Sequence, residues 1–148
     1  MILNGKLLLR AAPIKDMVPE KRREHGVSYG LTEAGYDIRI RQSLTLDAAT
    51  RFSLASAVEE FQMPDTLVGI VHDKSTWARL GLSVFNTVIE PGFFGGLTLE
   101  LVYHGTGAVY LPAGAGIAQV IFHEIHEPRR YDGKYQGQPT SPVGSIFE

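Results

Sequence analysis

The chain of 148 residues contains no cysteine, which excludes disulfide bonds, thiolate zinc sites and a cysteine nucleophile. Charge of neither sign dominates, since 14 basic and 16 acidic side chains leave a formal charge of −2. We therefore expect no nucleic-acid partner bound through bulk positive charge. Long apolar runs are also missing, because the segment that starts at Met1 is interrupted at Arg10, too early for a signal peptide or membrane span. No membrane partner is expected, and the absence of cysteine is compatible with a cytoplasmic location, which we expect.

The chain does contain enough apolar sequence for a folded core. Hydrophobic residues make up 44% of it and charged residues 20%, a composition typical of a globular domain rather than of a disordered segment. The length predicts a single domain over 1–148. A domain of this size buries roughly 68–70% of its unfolded surface, so a sizeable core is expected.

Short segments with period-two patterning, separated by turns, predict an all-β fold with little helix. The segment 36–40 alternates apolar and polar residues, as a half-buried strand does. Further strands are predicted around 44–46, 52–54, 67–71, 82–89, 97–103, 108–111 and 117–125, with a turn at 90–92 and a hairpin loop at 104–107. Many short strands at this spacing indicate a barrel or sandwich, and a double-sheet jelly roll fits the length.

Two less regular segments lie outside this pattern. The polar stretch from Pro13 to Glu33 is interpreted as a surface loop or short helix. The segment 128–148, rich in Gly, Pro, Ser and Gln, is interpreted as a mobile tail. Its basic and aromatic side chains among glycines also make it a candidate lid over an anionic ligand, with a disordered end as the alternative.

A hydroxyl-rich segment suits the binding of phosphate. Ser75 and Thr76 lie at a predicted helix start, where backbone N–H groups and hydroxyls bind phosphate oxygens. Arg79 follows one helical turn after Ser75 and can reach the same ligand. An ordinary helix capped by Ser75, with Lys74 and Arg79 in solvent, accounts for the same residues.

Glu100 is the one carboxylate of the apolar strand predicted at 97–103. Alternation places it on the face opposite the leucines, where it is either solvated or held in a site. If it faces a partly buried pocket, its pKa is expected to rise toward the range useful for acid–base catalysis. Just before this strand, Phe93 either packs into the core or lies beside a ligand ring.

His123 and His126 are not interpreted as metal ligands. They lack the i, i+4 spacing of the helical zinc-protease motif, and a strand would place them on opposite faces. The zinc nucleobase-deaminase signature, which needs paired cysteines, cannot exist in this chain. We therefore predict no metal-ligating side chains.

The remaining inference comes from the order of several segments. They are Ala34–Arg39, Lys74–Leu82, Ile89–Phe93, Leu97–Leu101, Gly116–Gln119 and Lys134–Gln138. In this order they resemble the dCTP deaminase branch of the trimeric dUTPase-like family, over most of the chain. The most specific parts are the serine-containing segment that ends in Ala-Arg-Leu-Gly-Leu and the Thr-Leu-Glu-Leu strand.

The resemblance implies a distorted jelly-roll subunit, the β-clip barrel of dUTPase-like proteins, in a homotrimer. Active sites between subunits would bind a deoxynucleoside triphosphate, dCTP or dUTP, with Mg²⁺ bound through the triphosphate. By the same resemblance the catalytic residues are Glu100, Ser75, Arg79 and Glu90, with Glu100 as the general acid and base. The substrate-binding residues are Lys74, Thr76, Asn86, Thr87, Val88, Phe93, Gln119, Tyr131, Lys134, Tyr135 and Gln138.

The chain departs from the family pattern before its Pro91-Gly92 turn. The segment Thr87–Glu90 is shorter than usual, and Glu90 stands where an Asp is common. The function implied is a zinc-independent dCTP deaminase that forms dUTP and ammonia. Three alternatives stay open: a diphosphatase that splits dUTP, dCTP or both, a bifunctional enzyme, and a nucleotide sensor without catalysis.

Overall fold

The computed structural model describes all 148 residues, which form twelve strands and two short helices. In chain order these are β1 (Ile2–Leu3), α1 (Gly5–Ala11), β2 (Lys21–Glu24), β3 (Val27–Leu31), β4 (Tyr36–Arg39), β5 (Leu44–Asp47), β6 (Phe52–Gln62), β7 (Leu67–Asp73), α2 (Ser75–Ala78), β8 (Leu82–Val84), β9 (Val88–Ile89), β10 (Phe94–Tyr103), β11 (Ala108–Leu111) and β12 (Gly116–Glu124). Strands dominate, which confirms the all-β prediction. Neither helix is long and apolar enough to cross a membrane.

The strands form three antiparallel sheets. The largest has the order β2-β3-β4-β12-β7-β9, with β1 added on β12, and the others are β6-β10-β8 and β11-β5. Strands distant in the chain become neighbours, as β4 does with β12 and β5 with β11. The apolar faces of these sheets pack into one core of 29 buried hydrophobic residues, whose burial is the main stabilising contribution to the fold.

Strand β10 is the element that positions the candidate site. Leu97, Leu99, Leu101 and Tyr103 are all buried. Leu99, Leu101 and Tyr103 share one face, as the alternation in the sequence predicted, whereas Leu97 lies where the register with β6 shifts, between Gly96 and Thr98. Glu100 lies on the other face, opposite Leu54 of β6. On its other edge the strand pairs with β8, and the Glu100 carbonyl accepts the N–H of Phe85 at 3.0 Å. The backbone of Glu100 is therefore held by neighbours on both sides.

The interpretation of Pro13–Glu33 as a loop or short helix is wrong for much of its length. Strands β2 and β3 form a hairpin there, with His25 and Gly26 at positive φ in the turn. All four side chains of β2 are exposed, because this strand lies at the edge of the sheet, where charged residues protect against further pairing. An edge strand with this composition carries no period-two signal.

Two other local predictions also fail. The strand predicted at 82–89 is broken into β8 and β9, because the chain turns at Phe85–Thr87, where the Thr87 N–H donates to the Phe85 carbonyl at 2.9 Å. The residues 104–107 do not close a hairpin, because the chain leaves β10 there and β11 pairs with β5 instead. In both cases the partner of a strand is set by tertiary packing rather than by its neighbour in sequence.

Candidate active site

A cleft of about 430 Å³ lies beside the Glu100 face of β10. Strands, turns and the C-terminal segment all contribute to its lining. The lining residues are Phe52, Leu54, Thr87, Val88, Ile89, Glu90, Phe93, Leu97, Thr98, Glu100, Tyr131, Tyr135, Gln138, Val143, Gly144 and Ser145. The cleft is therefore mostly apolar and aromatic with a few polar groups, as small-molecule sites usually are.

The Glu100 carboxyl is the chemically distinctive group of this cleft. One of its oxygens, Oε2, is buried and has no hydrogen-bond partner. Burial raises the pKa of Glu100 above its ordinary value of 4.5, and a hydrogen bond from its own backbone N–H opposes this only in part. The rise confirms the expectation for a pocket-facing carboxyl. Such a group can hold and release a proton closer to neutral pH than a solvated glutamate can.

The turn before β10 contributes a buried aromatic ring and a second carboxylate to the cleft. Phe93 is 5% exposed, and its ring meets that of Tyr131 edge to face, with centroids 6.2 Å apart. Glu90 lies on the same turn, exposed, and the Phe93 N–H donates to its carbonyl at 3.1 Å. Gly92 adopts a φ of 74°, which a residue with a side chain adopts only with strain.

The C-terminal segment is seated on the cleft. The Tyr131 N–H donates to Pro91 O at 2.7 Å, and the Gly96 N–H donates to Gln138 O at 2.9 Å. Gln138 also forms a parallel bridge with Gly95. The lid role of the segment and its mobility both stay predictions. Lys134 is exposed and does not line the cleft; its ammonium lies 5.5 Å from the ring centroid of Tyr135.

Other predicted site residues lie away from this cleft within the single chain. They are Lys74, Ser75, Thr76, Arg79, Asn86, Gln119 and Lys134. Ser75, Thr76 and Arg79 are exposed around α2. The expectation that Ser75 caps this helix is wrong, because the N-cap position is Lys74 and no side chain caps the helix.

Lys74 and Gln119 already have partners in the protein. The Lys74 ammonium pairs with the carboxylate of Asp37 and donates to the hydroxyl of Ser28 at 2.9 Å. The side chain of Lys74 is 11% exposed and that of Asp37 is 4% exposed. The Gln119 amide donates to the hydroxyl of Thr32 at 2.9 Å. A phosphate contact from Lys74 therefore requires its pair with Asp37 to open or to be shared.

Sequence reasoning missed several residues of the cleft. Phe52, Leu54 and the Val143–Ser145 segment reach it only through the pairing of β6 with β10 and the path of the tail, for which the sequence gives no signal. Thr98 could have been predicted from the sequence, because it lies two residues before Glu100 on the same face of one strand. Asp37, which lies outside the cleft and pairs with Lys74, was missed because a polar residue of an alternating strand normally faces solvent.

Most of this chain matches the model of a known protein family. Residues 36–125 match the family model described as dCTP deaminase-like. The chain belongs to the dCTP deaminase-like family. It is therefore a dCTP deaminase-like hydrolase. The dCTP deaminase of Campylobacter concisus is 32% identical to it over 170 aligned positions, covering 90% of this chain and 91% of that protein. The alignment is longer than the 148 residues of this chain because it contains gaps in this sequence.

Solved structures identify the fold of this dCTP deaminase-like protein. The dUTPase of EIAV superposes with a TM-score of 0.58 at 21% identity, covering 84% of this chain and 92% of that one. A mutant dUTPase from phage phi11 of S. aureus, whose structure describes the coordination of a structural Mg(II) ion, gives a TM-score of 0.59 at 16% identity, covering 82% and 94%. The predicted dUTPase-like fold is thereby confirmed.

Proposed function

We propose that the chain deaminates dCTP to dUTP and ammonia, with Glu100 as general acid and base and without zinc. The observation that carries the proposal is the half-buried Glu100 carboxyl, which has one oxygen without a partner and a raised pKa in an apolar cleft. Its surroundings favour the exchange of protons over the formation of an ion pair. The relationship to proteins named dCTP deaminase, such as that of C. concisus, supports the same reaction.

The proposed reaction adds one water and removes one ammonia. Ionised Glu100 takes a proton from the water as its oxygen bonds to C4 of the cytosine ring, and delivers that proton to N3. The second proton of the added oxygen then passes through Glu100 to the amino group, the C4–N bond breaks, and ammonia leaves as the C4 carbonyl forms. A positioned acid and base of this kind contributes roughly 10²–10⁴-fold to a rate.

Phe93 would select the deoxyribose. The ring forms a buried apolar wall of the cleft, packed against Tyr131. A sugar seated on that wall meets no hydrogen-bond partner for a 2′-hydroxyl, and burying an unpaired hydroxyl is costly. Backbone and side-chain groups of Thr87 and Val88 would face the pyrimidine, since both residues line the same cleft, and Asn86 precedes them just outside it.

The proposed site is completed by a second copy of the chain in a homotrimer. Ser75, Thr76 and Arg79 are exposed and lie outside the cleft of their own chain, as does Gln119. Phe52 and Val88, at the rim of the cleft, are 53% and 52% exposed, an amount of apolar surface that favours contact with another copy. A neighbouring α2 would then supply the hydroxyls and the guanidinium that bind phosphate and orient the water.

The side chains of the chain offer no cage for the proposed Mg²⁺. No group of three or more His, Asp or Glu side chains is arranged as a metal site. Glu100, whose burial disfavours its charged form, is a poor ligand for a hard cation. We therefore assign Mg²⁺ to the triphosphate oxygens alone, where it keeps several waters, and derive no step through it.

A diphosphatase is the second candidate, and Glu90 is the observation that favours it. Its exposed carboxylate lines the same cleft as Glu100. An exposed carboxylate can act as the general base that activates a water for attack on a phosphorus atom. The chain would then release pyrophosphate and a monophosphate, either instead of ammonia or after it.

The test separates the two reactions by their products. The protein with Mg²⁺ is incubated with dCTP and with dUTP, and ammonia, pyrophosphate and nucleotides are quantified. We expect ammonia from dCTP, its loss in Glu100→Gln with nucleotide binding retained, and no change in Glu60→Gln, whose carboxylate lies outside the cleft and pairs with Lys15. Pyrophosphate without ammonia, lost in Glu90→Gln, would replace the deaminase with the diphosphatase. Binding without any product would leave a nucleotide sensor.

A further inference from the structure

The side chain of Gln136 joins two parts of the cleft that are distant in sequence. Its Oε1 accepts the N–H of Phe94 at 2.9 Å. Its Nε2 donates to the carbonyls of Gly92 and Tyr131, each at 2.9 Å. One amide thus satisfies three backbone groups, two on the turn that carries Phe93 and one on the C-terminal segment. Gln136 itself does not line the cleft.

The surface beneath this segment is shaped to receive it. A Cβ at Gly92 would lie 2.7 Å from the Arg130 side chain, and one at Gly95 would lie 2.7 Å from the backbone of Gln138. A Cβ at Gly96 would fall on the carbonyl oxygen of Pro139. Side chains at these three positions would push the C-terminal segment away, so the glycines permit a close backbone approach. The Gly137 N–H completes the contact by donating to Phe94 O at 2.9 Å.

We infer that Gln136 is a positioning residue that holds the C-terminal segment closed over the cleft. The inference rests on the proposed function, because it assumes that the cleft binds a nucleotide. The residues that Gln136 brings together are those that face the ligand: Phe93 on the turn, and Tyr131, Tyr135 and Gln138 on the segment. Gln136 contributes by fixing their relative position, without contact to the ligand.

The expected consequence concerns affinity rather than the chemical step. If only the closed form binds tightly, the apparent dissociation constant equals the intrinsic one divided by the closed fraction. The hydrogen bonds to Phe94 and Gly92 join the segment to the turn and so favour closure, whereas the bond to Tyr131 orders the segment itself. Loss of all three therefore opens a substantial fraction of molecules. Once substrate has closed the segment, Glu100 and its surroundings are unchanged, and kcat is conserved.

The test compares Gln136→Ala and Gln136→Glu with Gln62→Ala. Glutamate keeps the acceptor but replaces the two donors with a negatively charged oxygen. Gln62 is a matched control, because its amide donates to the Ala12 carbonyl at 3.0 Å outside the cleft. Amide hydrogen exchange at Gly96 and Gly137 reports closure without substrate. Calorimetry measures the Kd for dCTP of each variant in a Glu100→Gln background. Steady-state kinetics of the variants that keep Glu100 give KM and kcat.

We expect faster exchange at Gly96 and Gly137 in both Gln136 variants, with Kd and KM raised roughly tenfold and kcat within about twofold. Gln62→Ala should behave as the parent protein. Unchanged exchange, or faster exchange with unchanged Kd and KM, would overturn the inference. If the parent protein turns over neither dCTP nor dUTP, the proposed function fails, while the exchange rates and Kd still decide the role of Gln136.

Discussion

The Glu100 carboxyl sits where its charged form is disfavoured, and this has a consequence for stability. Its pKa in the folded protein is raised above 4.5, mainly by burial. Between the unfolded and folded pKa values the folded state binds more protons than the unfolded state, so stability falls as pH rises through that window. The glutamate that is proposed to carry the chemistry is therefore also a source of instability at neutral pH, as active-site groups often are.

Replacing Glu100 by Gln should raise the melting temperature at pH 7 to 8 and have little effect near pH 4, where the folded wild type is already protonated. Thermal unfolding at a series of pH values measures the difference. Glu60→Gln is the control with the opposite sign, because the hydrogen bond from Lys15 lowers the pKa of Glu60. Its removal should lower the melting temperature only slightly at neutral pH, because solvent screens this exposed pair, and that loss should vanish on acidification. A Glu100→Gln difference that does not grow with pH would contradict the burial of this carboxyl.

A second prediction at the level of single residues concerns the ion pair between Asp37 and Lys74. Both side chains are nearly buried, so Asp37→Asn leaves an ammonium without its counter-charge. We expect a loss of about 3 kcal/mol in the free energy of unfolding, since breaking a buried pair costs about 3–5 kcal/mol. Denaturant unfolding measures it. Adding Lys74→Met should recover part of the loss, because the unpaired charge is then removed.

The exposed pair between Lys21 and Glu33, at 2.7 Å, provides the comparison for this measurement. Lys21→Met should change stability very little, because solvent screens such pairs. Equal effects of Lys21→Met and Asp37→Asn would mean that Lys74 is solvated, and so free to bind phosphate, in solution.

At the level of elements, the C-terminal segment and β10 form one unit around the cleft. The Val143 N–H donates to the hydroxyl of Thr98 at 3.0 Å, and the hydroxyl of Ser56 donates to Thr140 O at 2.6 Å. These are single hydrogen bonds at separate positions of a segment that forms no regular strand, whereas β10 is held by a long pairing with β6. Elements held in this way open at lower free energy than the core does.

Removing the residues after Arg130 should raise KM strongly or abolish turnover, because Tyr131, Tyr135 and Gln138 leave the cleft. The oligomeric state should be conserved and the melting temperature should fall only slightly, since Tyr131 is the one hydrophobic residue of the segment that packs against the buried core. Steady-state kinetics measure KM and turnover, thermal unfolding measures the melting temperature, and light scattering measures the oligomeric state. A chain that lacks only Phe147 and Glu148 is the control. Full activity of the longer truncation would remove the lid role.

At the scale of the whole molecule, the separation of Ser75 and Arg79 from the Glu100 cleft predicts sites shared between copies. Glu100→Gln and Arg79→Ala should each be inactive. If the two side chains come from different copies of a trimer, a random 1:1 mixture of the variants restores about one quarter of the sites. Ammonia release after co-expression and purification of mixed oligomers measures this. No recovery in oligomers shown to be mixed would mean that one chain supplies both groups.

Alternation along single strands made part of this structure predictable. The burial of Leu99 and Leu101, with Glu100 on the other face, follows from a period of two and needs no knowledge of partners. The raised pKa of Glu100 was predicted only on the condition that a pocket covers it. The β2–β3 hairpin was missed because edge-strand side chains point into solvent on both faces and carry no alternation.

The sequence by itself determined the strand-rich character of this chain and the residues that mark its family, because both depend on the local spacing and the order of residues along the chain. Only the tertiary structure decided that Glu100 lies in an apolar cleft beside Phe52 and Leu54, and that Lys74 is paired with Asp37. It also decided that Gln136 bridges the Phe93 turn and the C-terminal segment. The physical reason is that sheet register and chain path select these neighbours, and both minimise the free energy of the whole fold rather than of any segment.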